Sequence, residues 1–154
     1  MNTLKSLSFL VIPLFFLVCQ QFVYAWTEYS NVRYLDLDGD ATNEIIIEAK
    51  HGAGTGHYIE DMRIFKDKSP ELELIFQTQT VNEYFIDKDH SKIVSQVSFT
   101  EPDTANGLRD IIIESEKIYF TDNENKIIEK EENLGKKVFK WNGEKYIEAK
   151  GSSS

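Results

Sequence analysis

Polar and apolar residues alternate along much of the chain after residue 25, in short runs that turn-forming residues separate. This two-residue period is typical of strands with one buried face, and no segment has a sustained helical period with a cap at both ends. The pattern therefore predicts an all-β chain of ten or eleven strands, in which some neighbouring runs merge. The runs are residues 32–37, 44–49, 58–66, 72–80, 82–86, 92–99, 109–114, 117–121, 126–130, 137–141 and 145–149.

The turn-forming residues predict how the last strands are joined. Asn142-Gly143 lies between two alternating runs, and Asn-Gly is the strongest short-range signal of a β-hairpin. Two further clusters of turn formers, residues 122–125 and 133–135, predict turns earlier in the chain. Short connections of this kind favour antiparallel meanders.

A weak internal repeat refines the predicted fold. The segment at residues 36–47 is echoed at residues 103–113, and alignment of the two Ile-Ile-Ile runs places Glu44 opposite Asp110. An acidic turn that recurs before a buried strand is typical of stacked meanders such as propeller blades. We therefore predict antiparallel meanders in a propeller-like or partial propeller fold. Chance similarity of the two segments is the alternative.

The N-terminus has the features of a secretory signal peptide. Lys5 is its only charged residue, residues 7–19 form an apolar run, and Val23-Tyr24-Ala25 suits a signal peptidase. We predict cleavage after Ala25 and a periplasmic or secreted protein. A membrane anchor is the weaker reading, because a spanning helix needs roughly 20 apolar residues. Lipidation of Cys19 is also weaker, because a large residue precedes it.

The remaining chain is predicted to be one acidic domain, residues 26–150, followed by a disordered tail, residues 151–154. It contains no cysteine, so a hydrophobic core must stabilise it without an internal disulfide. Removal of the leader takes away Lys5 alone among the charged residues. Sixteen basic and 26 acidic residues remain, a formal net charge of −10. This charge argues against nucleic acid and anionic membrane as partners.

Oxygen-bearing side chains recur at every second position between the first two predicted strands. They are Asp36, Asp38, Asp40, Thr42 and Glu44. In a tight turn this alternation directs them inward, and calcium takes six to eight oxygen ligands at about 2.3–2.6 Å. Four carboxylates so close together also need a counter-ion. The loop therefore predicts a calcium site with the four carboxylates and the Thr42 backbone carbonyl as ligands. An ordinary acidic turn without an ion is the alternative.

The spacing fits an EF-hand poorly, since Ala41 stands where the sixth-position Gly is expected and Ile47 where the bidentate Glu is expected. The strand-flanked loop instead resembles the calcium loop of integrin-type FG-GAP repeats, whose ligands occupy the first, third, fifth, seventh and ninth positions. Ala41 departs from the usual Gly of that loop as well. The echo has Pro102, Thr104 and Asn106 opposite Asp36, Asp38 and Asp40, and no second ion is expected there.

A wider resemblance covers roughly residues 34–149. It comprises the acidic loop, a glycine-containing turn at residues 52–56, the strand that starts at Tyr58, and the closing Phe139-Lys-Trp-Asn-Gly143 segment. The order of these features resembles bacterial periplasmic proteins with a propeller-like β-fold and one calcium loop. Some of those proteins are lysozyme inhibitors or immunity proteins against secreted peptidoglycan hydrolases. The resemblance implies a non-enzymatic protein that binds a macromolecule.

Other chemistry has less support in the sequence. His51 and His57 flank the glycine-rich loop, but two histidines at this spacing are weak evidence for zinc or copper. No nucleophile-elbow motif is present, and abundant acids make close carboxylate pairs uninformative. We predict a calcium-binding, non-enzymatic domain with a protein partner such as a cationic hydrolase. The alternatives are a cell-surface adhesion or carbohydrate-binding module and, less favoured, a small hydrolase.

Overall fold

The computed structural model describes residues 26–52, 56–86, 89–122 and 127–150. They form one antiparallel sheet in which every strand pairs with the next along the chain. The strands are β1 (Trp26–Leu35), β2 (Glu44–Gly52), β3 (His57–Lys68), β4 (Glu71–Ile86), β5 (Asp89–Phe99), β6 (Ile111–Asp122), β7 (Ile127–Trp141) and β8 (Tyr146–Glu148). The predicted all-β antiparallel meander is confirmed. The predicted signal peptide and disordered tail lie outside the described residues.

The described residues contain eight strands, so the prediction of ten or eleven was too high. Three pairs of predicted runs are continuous: 72–80 with 82–86 in β4, 109–114 with 117–121 in β6, and 126–130 with 137–141 in β7. In each case the predicted break lies at a register shift, near Thr80 in β4, Ser115 in β6 and Leu134 in β7, that does not end the strand.

The predicted turn at residues 133–135 is a β-bulge inside β7. Gly135 pairs with Ser115 and Asn133 with Glu116, which leaves Leu134 as an extra residue. Gly135 has φ of 92°, and its amide donates to the Asn133 side chain at 2.7 Å. A bulge of this kind accommodates an extra residue and a glycine with positive φ, and the strand continues beyond it.

The sheet folds over on itself at the junction of β4 and β5. These strands pair with each other only through residues 81–86 and 89–94. The rest of β4 pairs with β3 alone, and the rest of β5 pairs with β6 alone. Phe76 of β4 contacts Phe139 of β7 edge to face, with ring centroids 5.1 Å apart. The two halves therefore face each other across one core. Its buried members are Leu37, Ile46, Met62, Ile64, Ile75, Phe76, Ile111, Ile113 and Tyr146.

The propeller-like part of the prediction is not confirmed, because the described strands belong to one sheet and not to separate blades. The predicted closing hairpin is present: Trp141 pairs with Tyr146, and the Asn142 side chain accepts hydrogen bonds from the amides of Glu144 and Lys145. This hairpin places Tyr146 in the core. None of the described segments is a helix of the length and apolarity needed to cross a bilayer.

Candidate metal centre

The acidic loop joins β1 to β2 and is held in a curl by its own first carboxylate. Both oxygens of Asp36 accept backbone hydrogen bonds, one from the Gly39 amide at 2.8 Å and one from the Ala41 amide at 3.1 Å. Gly39 has φ of 76° and Ala41 has φ of 66°. A left-handed alanine costs on the order of 1 kcal/mol, so the departure from glycine at position 41 makes this curl more strained.

The curl gathers three of the predicted ligands. Carboxylate oxygens of Asp36, Asp38 and Asp40 lie within 4.8 Å of one another, close enough to share a metal ion. Thr42 follows directly, and its amide donates to Asp40 at 2.8 Å. Glu44 lies outside this group of three but adjoins it, as its contacts with Lys66 show. The predicted role of the Thr42 carbonyl stays a prediction.

Lys66, from the end of β3, brings a positive charge into the loop. Its ammonium forms ion pairs with Asp38 and, at 2.7 Å, with Asp40, and it lies 4.0 Å from Glu44 Oε1. Burial disfavours the charged ammonium, but the hydrogen bonds to Asp38 and Asp40 outweigh burial and raise the pKa of Lys66. The hydrogen bond from Lys66 lowers the pKa of Asp40. Lys66 therefore supplies part of the positive charge that the clustered carboxylates need.

Two carboxylate oxygens beneath the loop are buried without a hydrogen-bond partner. They are Asp38 Oδ1 and Glu44 Oε1. Glu44 is fully buried, and its other oxygen accepts the Leu37 amide at 2.7 Å. Burial, aided by the charge of Asp38, raises the pKa of the Glu44 carboxyl. Unpartnered buried acceptors cost roughly 1–3 kcal/mol each, so the loop is short of positive charge or donors even with Lys66 in place.

The loop packs against its own sequence echo, the β5–β6 loop. Gly39 touches the backbone at Asn106 and Gly107 so closely that a Cβ on Gly39 would lie 2.1 Å from the Asn106 carbonyl oxygen. The Leu37 carbonyl accepts the Arg109 amide at 2.9 Å. The two related segments thus meet at one end of the fold, which gives the acidic loop a rigid support.

Tyr146 lies beneath both loops. Its hydroxyl lies 2.9 Å from the Leu37 carbonyl and 3.0 Å from the Arg109 carbonyl, and it donates its one proton to either. Burial, followed by the nearby charges of Glu44 and Asp38, raises the pKa of Tyr146. The neutral hydroxyl therefore links the two loops throughout the physiological pH range.

The two histidines that flank the glycine-rich loop have protein partners away from the acidic cluster. His51 is buried, with Nε2 3.1 Å from Asp61 and Nδ1 3.0 Å from the Thr27 hydroxyl. His57 Nε2 lies 3.0 Å from Asn82. Among the described residues, the three aspartates form the only group of potential metal ligands, and neither histidine belongs to it.

Thr27, His51 and Asp61 form a hydroxyl–imidazole–carboxylate chain that sequence reasoning missed. This order is that of an activated nucleophile, but Arg63 pairs with the same Asp61 oxygen at 2.7 Å and offsets its charge. His51 is also only 1% exposed, which leaves it inaccessible to a leaving group. The arrangement is better explained as a polar link that ties β1, β2 and β3 together.

A cleft of about 500 Å³ lies on the face formed by β5, β6 and β7. Half of its lining residues are acidic: Glu114, Glu116, Glu131 and Glu132. Lys136 lies 3.5 Å from Glu114 and Lys130 lies 3.2 Å from Glu132. The hydrogen bond from Lys130 lowers the pKa of Glu132.

No family model, curated protein or solved structure matches this chain.

Proposed function

We propose that this chain is an exported, non-enzymatic β-domain that binds one calcium ion in the loop of residues 36–44 and a cationic protein partner elsewhere on its surface. The observation that carries the calcium proposal is the pair of buried oxygens on Asp38 and Glu44 that have no hydrogen-bond partner, in or next to a cluster of three aspartates. Calcium prefers carboxylate oxygens, and a divalent ion satisfies several of them at once. The residues present therefore fit the ion.

Lys66 makes this calcium site weaker than its four carboxylates alone suggest. The ammonium lies among the same carboxylates that would hold the ion, so calcium must displace it or share them with it. Four carboxylates and one ammonium leave three negative charges, which still favours a divalent cation. A lysine stem has four flexible carbons, so the ammonium can move aside while the backbone of the loop stays in place.

Calcium is expected to stabilise the fold, because an ion that binds only the native state raises the free energy of unfolding. Extracellular sites often have dissociation constants near 10⁻⁴–10⁻³ M, and a tenfold excess over such a constant adds roughly 1.4 kcal/mol. That corresponds to a melting temperature higher by roughly 3–8 °C. The measurement is a thermal melt in calcium and in chelator.

Two aspartate variants test where the ion binds. Asp38→Ala should abolish the calcium response. Asp103→Ala should preserve the calcium response, because Asp103 is exposed and its acceptors are used within its own turn. Its side chain accepts a hydrogen bond from the Ala105 amide, and its carbonyl accepts one from the Gly107 amide. Identical melts of the wild type in calcium and chelator would overturn the calcium proposal.

The proposed partner is a cationic protein, with a peptidoglycan hydrolase such as a lysozyme as the first candidate. The four glutamates of the cleft and the net charge of −10 would attract a basic surface and accelerate its approach. The resemblance to periplasmic inhibitors and immunity proteins points to the same class of partner. Binding is expected to weaken as salt screens these charges.

Inhibition of a lysozyme-type hydrolase, measured by lysis at several salt concentrations, tests this partner. Glu131→Lys, in the cleft, should weaken inhibition at least tenfold at low salt. Glu144→Lys makes the same change in net charge on the exposed closing hairpin and should weaken it much less. Glycan binding without any protein complex would support the adhesion or carbohydrate-binding alternative, and turnover of substrate would support a hydrolase; either result overturns the proposal.

A further inference from the structure

β1 is an outer strand whose residues are exposed on both faces. Nine of its ten residues are exposed, and only Leu35 is half-buried. Tyr29, Val32 and Tyr34 are each at least half exposed. They lie on the same face of the sheet, since their partners in β2 are all odd-numbered residues. In the described part of the chain, no strand pairs with the outer edge of β1. Such an edge is a template for a further strand.

Another long free edge of the sheet, on β7, is protected by charge. β8 covers β7 only at residues 139–141, so residues 127–137 have an outer edge that no described strand covers. Six of these eleven residues are charged: Glu129, Lys130, Glu131, Glu132, Lys136 and Lys137. Charged residues discourage edge pairing. β1 has only Glu28 and Arg33 in ten residues, and it is therefore more open to association than the β7 edge.

A β-bulge at the centre of β1 sets the registers in which it can pair. Tyr29 pairs with Ala49 and Asn31 with Glu48, so Ser30 is an extra residue. In a regular strand, residues whose N–H and C=O groups point to one edge alternate with residues whose groups point to the other edge. The extra residue offsets this alternation, so residues 31–35 follow the opposite odd–even order from residues 26–29. When two β1 strands pair antiparallel, two opposite residues exchange hydrogen bonds only if the N–H and C=O groups of both point to the shared edge. The register must therefore place residues of the same backbone orientation opposite each other.

This shift gives Glu28 and Arg33 the same backbone orientation, although one number is even and the other odd. Their partners in β2 are Lys50 and Ile46, which are four residues apart and so have the same orientation. Two copies of β1 can therefore pair antiparallel about a two-fold axis between residues 30 and 31.

In that register the four pairs on either side of the central Ser30–Asn31 pair are complementary. The pairs are Glu28 with the partner's Arg33, Tyr29 with the partner's Val32, Thr27 with the partner's Tyr34, and Trp26 with the partner's Leu35. Opposite charges and aromatic or β-branched pairs each stabilise a strand pair by roughly 0.2–1 kcal/mol, and each occurs twice across the axis. A shift of the register by two positions would place Glu28 opposite Asn31 or Leu35 and leave its charge unpaired.

We infer that β1 is a self-association edge, and that two chains join through antiparallel β1 strands into one continuous sheet. A two-fold axis perpendicular to the sheet makes this an isologous contact, in which the same patch serves both chains. Tyr29, Val32 and Tyr34 of both chains form one apolar stripe across the junction, which removes part of their exposed surface from water.

Charge exchange tests this pairing on the exported protein, with molecular mass measured by analytical ultracentrifugation over a range of concentrations. The wild type should approach twice the chain mass. Glu28→Arg places two arginines opposite each other at two sites and should raise the dissociation constant at least tenfold. Arg33→Glu should do the same. A mixture of the two variants should associate again, because each mixed pair restores opposite charges.

Glu129→Arg, the same charge reversal on the protected β7 edge, should leave the dissociation constant of the wild type unchanged. Arg33 also contacts Glu48 and Phe99, so Arg33→Glu can affect folding. Ser30→Cys provides an independent test, since the two Ser30 Cα atoms would lie on the order of 6 Å apart across the axis, within disulfide range. Oxidation should cross-link this variant and not Glu129→Cys.

Three results would overturn the inference: a wild type that stays monomeric at all concentrations, a Glu28→Arg variant that associates like the wild type, or a Ser30→Cys variant that does not cross-link. Association of β1 with a strand of a different protein alone would leave the wild type monomeric, and would therefore count against self-association.

Discussion

Replacement of Lys66 by methionine is expected to lower the free energy of unfolding by about 3 kcal/mol in chelator, because removal of one partner from a buried ion pair leaves the other charge uncompensated. Lys66 is 17% exposed and is the counter-charge of Asp38, Asp40 and Glu44. Calcium should restore most of this loss. Without a competing ammonium, the ion should bind at least tenfold more tightly, which adds about 1.4 kcal/mol to the calcium response at the same concentration.

Thermal melts of Lys66→Met in chelator and in calcium measure both effects. Lys68→Met is the matched control, since Lys68 lies two residues further along β3 and is itself exposed in its pair with the partly exposed Glu73. Exposed pairs contribute about 0–1 kcal/mol, so this control should change little in either condition. A Lys66→Met protein as stable as the wild type in chelator, or with a smaller calcium response, would contradict the assigned role of Lys66.

Replacement of Gly39 by alanine is expected to lower the free energy of unfolding by about 3 kcal/mol. The left-handed backbone accounts for about 1 kcal/mol. The rest comes from a Cβ that would lie 2.1 Å from the Asn106 carbonyl oxygen, so that the two loops must separate. Their separation would break the hydrogen bond from the Arg109 amide to the Leu37 carbonyl and displace the carboxylates. The melting temperature should fall by roughly 10 °C or more.

Gly143→Ala isolates the steric part of this effect. Gly143 also has a positive φ, 99°, but a Cβ there would meet no atom within 4 Å. Its replacement should cost about 1 kcal/mol, the backbone strain alone. Chemical denaturation of both variants gives the comparison. Equal losses at the two glycines would show that contact between the loops contributes nothing to stability.

The acidic loop could be predicted from sequence because its carboxylates are close together in the chain. Asp36, Asp38 and Asp40 alternate within five residues, and the curl that gathers them is held by the loop's own carboxylate. Lys66 could not be predicted in this way, since 28 residues separate it from Asp38. It reaches the loop because Ile45 pairs with Phe65 in the β2–β3 register, which brings the next residue of β3 to the start of β2.

The strands were predictable in kind but not in number. Alternation identifies each run, whereas a bulge and a turn use the same residue types, as Asn133 and Gly135 show inside β7. The partial pairing of β4 with β5 was also beyond the sequence, because it depends on the register of two long strands. That partial pairing folds the sheet over and brings the acidic loop into contact with the β5–β6 loop.

Direct measurement of bound calcium tests the central proposal most sharply. Equilibrium dialysis with calcium raised to about 10 mM, roughly tenfold above the weakest extracellular dissociation constants, should give close to one ion per chain for the wild type. Asp103→Ala should bind the same amount, and Asp38→Ala should bind none above background. A wild type that binds no calcium at millimolar concentrations, or an Asp38→Ala variant that binds as much as the wild type, would contradict a calcium site in this loop.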